Sequence, residues 1–235
     1  MKCYYDFHLH SCLSPCGDND MTPYNLVNMA KLLGYDIIAL TDHNTCLNCP
    51  SAIEAGKKAG IEVVAGMELC SSEEIHIVCL FPKLENALDF SDYVHNHIPP
   101  VKNKKEIFGD QLIMDGEDNV KGEEELLLTT ASDISVDNVH SLVEGYGGVS
   151  FPAHIDRSSY SVISVLGAIY PELNFSTAEL TPKADVEKYK RDFPLLNEMK
   201  IVHNSDAHYL ENMLESEFTI ELKECNAKSV IEYFK

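Results

Sequence analysis

The opening run of the chain closes on His-Leu-His, placing His8 and His10 one residue apart. Alternate residues of a strand point to the same face, so two imidazoles at this spacing can reach one object together. Side chains of the same type recur to the far end of the chain. Asp42 and His43 lie in LTDHNT, Glu68 in GMEL, His76 in EEIHIV and His154 in FPAHIDR. Glu179 closes STAEL, and Asp206 and His208 lie in HNSDAH. Imidazole and carboxylate together form a donor set for zinc, manganese or iron, and not for calcium or magnesium alone. Taken singly each has an ordinary reading: turn chemistry for Asp42 and His43, a satisfied core histidine for His76. Their placement argues otherwise, because each falls at a strand-like run.

Those runs are Cys3–Leu9, Asp36–Thr41, Glu62–Ala65, Ile75–Phe81, Gly148–Pro152, Thr177–Leu180, Lys200–Asn204 and Phe218–Leu222. Helical patterns separate most of them. Thr22 as N-cap, Pro23 at the first position and Gly34 as stop frame one helix, whose Leu26, Val27, Ala30 and Leu33 fall at helical spacing. Others are expected over Ser51–Ala59 (closed by Gly60), Leu84–His97, Val136–Gly145, Val186–Asp192 and Ala227–Phe234. Alternating strand and helix predicts an α/β protein with a parallel sheet. Roughly seven or eight strands in this length point to a closed or nearly closed barrel, with a doubly wound open sheet as the alternative. Either arrangement gathers the strand carboxyl ends, and the residues above, on one face.

The segment Pro99–Ser132 departs from this rhythm, with lysines at its start (Lys102, Lys104, Lys105) and acids behind. A connection of this length is expected to be a lid, a binding element or a surface excursion. No repeat or low-complexity tract divides the chain, so residues 1–235 are read as a single domain.

Composition bounds the function further. The formal net charge is −20, from 38 acidic and 18 basic residues, a field that repels phosphate backbones and argues against a nucleic-acid partner. No apolar run reaches the roughly 20 residues that span a bilayer, and no export signal opens the chain. Eight cysteines without such a signal read as reduced thiols of a cytoplasmic protein. Cys12-x-x-x-Cys16 with Cys46-x-x-Cys49 is the one arrangement among them that offers four thiolates to a structural zinc. Oligomeric state is not readable.

HLHSCLSP, LTDHNT, GMEL, EEIHIV, FPAHIDR and HNSDAH, in this order, resemble the polymerase-and-histidinol-phosphatase (PHP) superfamily of metal-dependent phosphoesterases. The resemblance covers nearly the whole chain. It implies a distorted (β/α)7 barrel, similar to a TIM barrel, with two or three divalent transition-metal ions (zinc, manganese or iron) at the strand carboxyl ends. Carried over residue by residue, the family's ligands fall on His8, His10, His43, Glu68, His76, His154, Asp206 and His208, with Glu68 as the carboxylate bridging two metals. The family's further ligand after the paired histidines has no unique match. Asp18 is preferred by counting back from Thr22-Pro23, with Cys16 as a thiolate alternative and Asp20 third.

The activity so implied is hydrolysis of a small phosphorylated metabolite or nucleotide by a metal-activated hydroxide. Neutral histidines and few carboxylates leave such a centre locally positive despite the acidic chain, as a phosphate dianion requires. Arg157 is the candidate phosphate contact. Asp42 is the candidate for orienting a ligand histidine, and His203 for protonating the leaving oxygen. The alternatives are metal-dependent hydrolysis at carbon, of an amide or lactone, a nuclease-type phosphodiesterase, and a metal-binding scaffold without turnover.

Overall fold

The computed structural model describes every residue except Ser216. In chain order the strands are β1 (Lys2–Leu9), β2 (Ile37–Leu40), β3 (Glu62–Cys70), β4 (His76–Phe81), β5 (Leu112–Met114), β6 (Val120–Glu123), β7 (Val149–Pro152), β8 (Thr177–Leu180), β9 (Lys200–His203) and β10 (Thr219–Glu221). The helices are α1 (Pro23–Leu32), α2 (Cys49–Ala59), α3 (Leu84–His95), α4 (Lys105–Phe108), α5 (Val136–Gly145), α6 (Val162–Leu166), α7 (Val186–Asp192) and α8 (Ala227–Phe234). Thr22 caps α1 by accepting a hydrogen bond from Asn25 N at 3.2 Å, and Gly60 closes α2 in the left-handed region at φ 77°.

The main sheet has the order β10-β1-β2-β3-β4-β7, and β8 and β9 form a separate parallel pair. That pair sits between β7 and β1. Ile155 N donates to Glu179 O on one side, and Phe7 N donates to the side-chain oxygen of Asn204 on the other. The result is a curled α/β half-barrel. The expected all-parallel sheet needs correction, because β4 runs antiparallel to both β3 and β7. Its cause is local. β3 extends to Cys70 instead of stopping near Ala65, so only residues 71–75 remain before β4. A parallel crossover needs about a dozen residues or more, so this short link can only turn back as a hairpin.

Two apolar layers set which side chains face the interior. Phe7, Val64, Val78, Leu80, Phe151 and Phe234 belong to the inner cluster; Leu9, Met67, Ile77 and Cys79 pack outward against the helices. On β3 the inward row runs Val64, Gly66, Glu68, and on β4 it runs Leu80, Val78, His76. A side chain at Gly66 would meet the Cys79 carbonyl at 2.8 Å, so the sheet needs glycine there. On β1 the inward residues are Cys3, Tyr5 and Phe7, a parity that would turn His8 and His10 outward. A register irregularity between Asp6 and Leu9 switches the parity, and beyond it both histidines face inward.

The long excursion is ordered. It forms α4 and the β5–β6 hairpin, and Lys102 and Lys105 pair with Glu125 and Glu123 of the same segment. Its anchor is the buried amide of Asn48, which donates to Leu112 O at 3.0 Å and Ser11 Oγ at 2.9 Å and accepts from Met114 N at 2.9 Å. Among the described residues no helix is long and apolar enough to cross a membrane. Replacing Asn48 with alanine removes three hydrogen bonds and leaves buried partners unsatisfied. It is expected to cost about 2 to 4 kcal/mol in urea denaturation and to open residues 105–123 to limited proteolysis. Wild-type protease resistance of that segment would contradict the anchor.

Candidate metal centre

Glu68 lies at the focus of the inward-facing residues. Its Oε1 is 3.1 Å from His8 Nε2, 2.9 Å from His76 Nδ1 and 3.2 Å from His154 Nε2. Its Oε2 is 3.0 Å from His43 Nδ1 and 3.3 Å from His10 Nε2. Asp206 forms a second focus, with Oδ1 at 3.1 Å from His10 Nε2 and 3.3 Å from His8 Nε2. Three overlapping groups have donor atoms within 4.8 Å of one another: His8, His10, Glu68 and Asp206; His43, Glu68 and His76; and His10, His43 and His208. β4, being antiparallel, delivers His76 from its amino end to the same mouth that the parallel strands reach at their carboxyl ends.

The opposite ring nitrogens are held from behind. His8 Nδ1 lies 3.0 Å from Glu179 Oε2, and Asn204 Nδ2 donates to that same oxygen at 2.7 Å. His10 Nδ1 lies 3.0 Å from Ser14 Oγ, whose hydroxyl donates to Asp42 Oδ1 at 2.7 Å. His208 Nδ1 donates to the Asp206 carbonyl at 3.0 Å. A ring whose Nδ1 carries the proton turns the lone pair of Nε2 inward, as a cation ligand must.

A resident cation fits this arrangement on three counts. His8 Nε2, His10 Nε2, His43 Nδ1, Glu68 Oε2 and Asp206 Oδ1 are buried without a hydrogen-bond partner. Each such group costs about 1 to 3 kcal/mol unless something else engages it. The electrostatics also demand positive charge. Burial alone would raise the Glu68 carboxyl, yet His76, His8 and His43 around it hold it well below the usual range. Burial would likewise lower His10, but the Asp206 and Glu68 carboxylates beside it push it up to about 9. His208, buried and facing His10, falls to about 3. Finally, nitrogen and oxygen donors of this mixture suit zinc, manganese or iron. Backbone strain collects here too: Asn44, His154, Tyr160 and Asp206 all have positive φ without being glycine, at a cost on the order of 1 to 3 kcal/mol each.

Several expected residues sit elsewhere or act at one remove. Asp18 is not among the converging groups; its Oδ1 accepts Asp20 N at 2.8 Å within its own turn, and Asp20 is exposed. Cys16 is exposed, with its thiol in contact with His43. Asp42 reaches His10 only through Ser14. His203 points Nδ1 at the Leu180 carbonyl, 3.0 Å away, and stacks on Phe218, outside the cluster. Arg157 lies at the rim with Nη1 2.7 Å from Asp206 Oδ2. The four-thiol arrangement does not form: Cys46 and Cys49 turn to the Gly66 carbonyl and Cys12 to that of Leu112. Ser14 and Asn204 lie within the quoted motifs HLHSCLSP and HNSDAH, but their contacts with His10 and Glu179, like the stacking of Tyr160 on His76, have no spacing signature. Glu179 alone was visible, as an acid at a strand end.

The chain belongs to the PHP domain family, which it matches over residues 6–224. It is similar to a 5'-3' exoribonuclease of Haemophilus influenzae, 39% identical over 79 residues, covering 32% of this chain and 28% of that protein. Among solved structures, the lesion-specific endonuclease Q of Pyrococcus furiosus superposes with a TM-score of 0.69 at 17% identity, over 100% of this chain and 56% of that one. A protein of Bifidobacterium adolescentis assigned as a metal-dependent phosphoesterase gives 0.66 at 17% identity, over 98% and 94%. At such identities the structural likeness establishes the fold alone. The chain spans just over half of the endonuclease and less than a third of the exoribonuclease.

These relatives overturn one expectation. The acidic net charge argued against a nucleic-acid partner, yet similar proteins include exoribonucleases and an endonuclease Q solved with a 27-mer duplex carrying an abasic lesion. The physical error was to read a global sum as a local field. An enzyme that engages phosphate at a metal centre does not need a basic surface to do so.

Glu179→Gln preserves shape and removes the charge behind His8. It is expected to weaken metal affinity about 10- to 100-fold in a competition titration against a chelator, and to lower stability by about 1 to 3 kcal/mol because its NH2 must face the His154 N–H or the Asn204 amide. Unchanged affinity would remove Glu179 from its holding role.

Proposed function

We propose that this chain is a metal-dependent phosphoesterase whose substrates include nucleotides or nucleic-acid ends. The observation that carries the reading is the pair of buried carboxylates, Glu68 and Asp206, shared among inward-aimed imidazoles beside an exposed guanidinium. His8, His10, Glu68 and Asp206 would hold one cation, and Glu68, His43, His76 and His154 a second, with Glu68 between them. His208 with His43 offers a third position, to which Cys16 lies adjacent. Bound there, divalent ions would acidify water and neutralise phosphoryl charge.

The remaining steps fall to side chains of the chain. Arg157 presents a planar cation at the rim, suited to two phosphoryl oxygens. Its bond to Asp206 keeps it oriented while leaving part of the guanidinium free. Asp42, through Ser14, and Glu179, directly, hold His10 and His8 in one tautomer and one direction. The similarity to exoribonucleases supports phosphorus over carbon as the centre attacked.

The test is a panel of phosphomonoesters, phosphodiesters, short oligonucleotides and amides, assayed with manganese or zinc. Phosphoester turnover should disappear with chelator and return with metal. His10→Ala should lower kcat/KM at least about 100-fold and reduce bound metal by elemental analysis, while keeping the circular dichroism of the wild type. A metal-replete chain inert to every phosphoester, or active on the amides alone, would refute this function.

A further inference from the structure

The loop that follows His154 carries two exposed side chains at the rim of the cluster. Arg157, 45% exposed in its side chain, leans on Asp206. Tyr160, 46% exposed, lies against His76 with ring centroids 4.7 Å apart and planes 28° from parallel. His76 in turn has Nδ1 2.9 Å from Glu68 Oε1, so the tyrosine is one ring away from the centre. An aromatic residue at φ 54° is strained, and something must hold it there. The holding is explicit. His76 N donates to the Tyr160 carbonyl at 2.9 Å, and the next residue, Ser161, donates its hydroxyl to Arg157 O at 2.7 Å and caps α6 by accepting Ser164 N at 3.1 Å. The strained backbone therefore fixes a flat apolar surface beside the centre without burying it in the core.

We infer that Tyr160 is a substrate-binding residue, whose free face stacks on a nucleobase or other aromatic group while the phosphoryl end reaches the cluster and Arg157. This rests on the phosphoesterase reading and narrows it to esters that carry an aromatic ring. Stacking recognises the flat face of any base, and so it needs neither a basic groove nor base-specific hydrogen bonds. That suits a chain of net charge −20. An aliphatic sugar phosphate would leave the ring face unused.

AMP and ribose 5-phosphate share the same primary phosphoester and differ by the base, so they isolate the effect. The metal-loaded chain is compared with Tyr160→Leu and Tyr160→Phe for turnover of both, and for their binding by calorimetry. The wild type should favour AMP by about 5- to 100-fold, chiefly through KM. Tyr160→Leu should bring that ratio toward unity through a raised KM for AMP, with metal content measured alongside, and Tyr160→Phe should keep it. Equal treatment of the two ligands by the wild type, or an undiminished preference in Tyr160→Leu, overturns the assignment. If neither ester is turned over, the phosphoesterase reading is what suffers, and the binding ratio still decides the role of Tyr160.

Discussion

The buried carboxylate of Glu68 is the constraint around which this molecule is arranged. An ionised group sealed from water is expensive unless opposite charge or strong donors surround it. Here five imidazoles from four separate segments reach it: His8 and His10 from β1 and its end, His43, His76 and His154. Glu179 behind His8 and Ser14 behind His10 direct those two rings inward, and several nitrogen and oxygen atoms of the cluster are left without a hydrogen bond. A centre built this way is balanced only when positive charge occupies it.

That convergence depends on small departures from regular structure. The irregularity in β1 switches which side chains face inward, and without it His8 and His10 would point toward the helices. The reversal of β4 places His76 opposite Cys70 at the end of the hairpin, where it extends the row that Val78 and Leu80 begin. Left-handed backbone at His154 and Asp206 turns two more side chains into the mouth. Each departure costs local stability, and each is offset by the packing and hydrogen bonds of its surroundings.

The excursion and the rim show the same division between scaffold and surface. Asn48 and Asn44 tie the excursion to the strands carrying the ligands, Asn44 by donating to the Leu128 and Thr130 carbonyls while accepting Cys70 N. Lys102 and Lys105 are paired with the excursion's own acids, and Arg157 is in contact with the cluster through Asp206. Around the mouth the chain thus offers one fixed cation and one fixed aromatic face, in a protein that is otherwise strongly acidic.

Much of this could be read from residue order alone. Motif spacing marks His8, His10, His43, Glu68, His76, His154, Asp206 and His208 as one set, because each stands in or beside an apolar run and side-chain chemistry limits what such a set can do. Caps and stops such as Thr22, Pro23 and Gly60 mark helix ends because their effect is local. What residue order left open depends on contacts between distant segments. The direction of β4 followed from how far β3 extends, and the inward turn of His8 from an irregularity with no signature of its own. The places of Asp18, His203 and Arg157 were decided by which neighbour each side chain met first. Local patterning determined the elements and the ligand types. Three-dimensional packing alone determined which side of each strand faces the mouth, since that choice is made by partners far away in the chain.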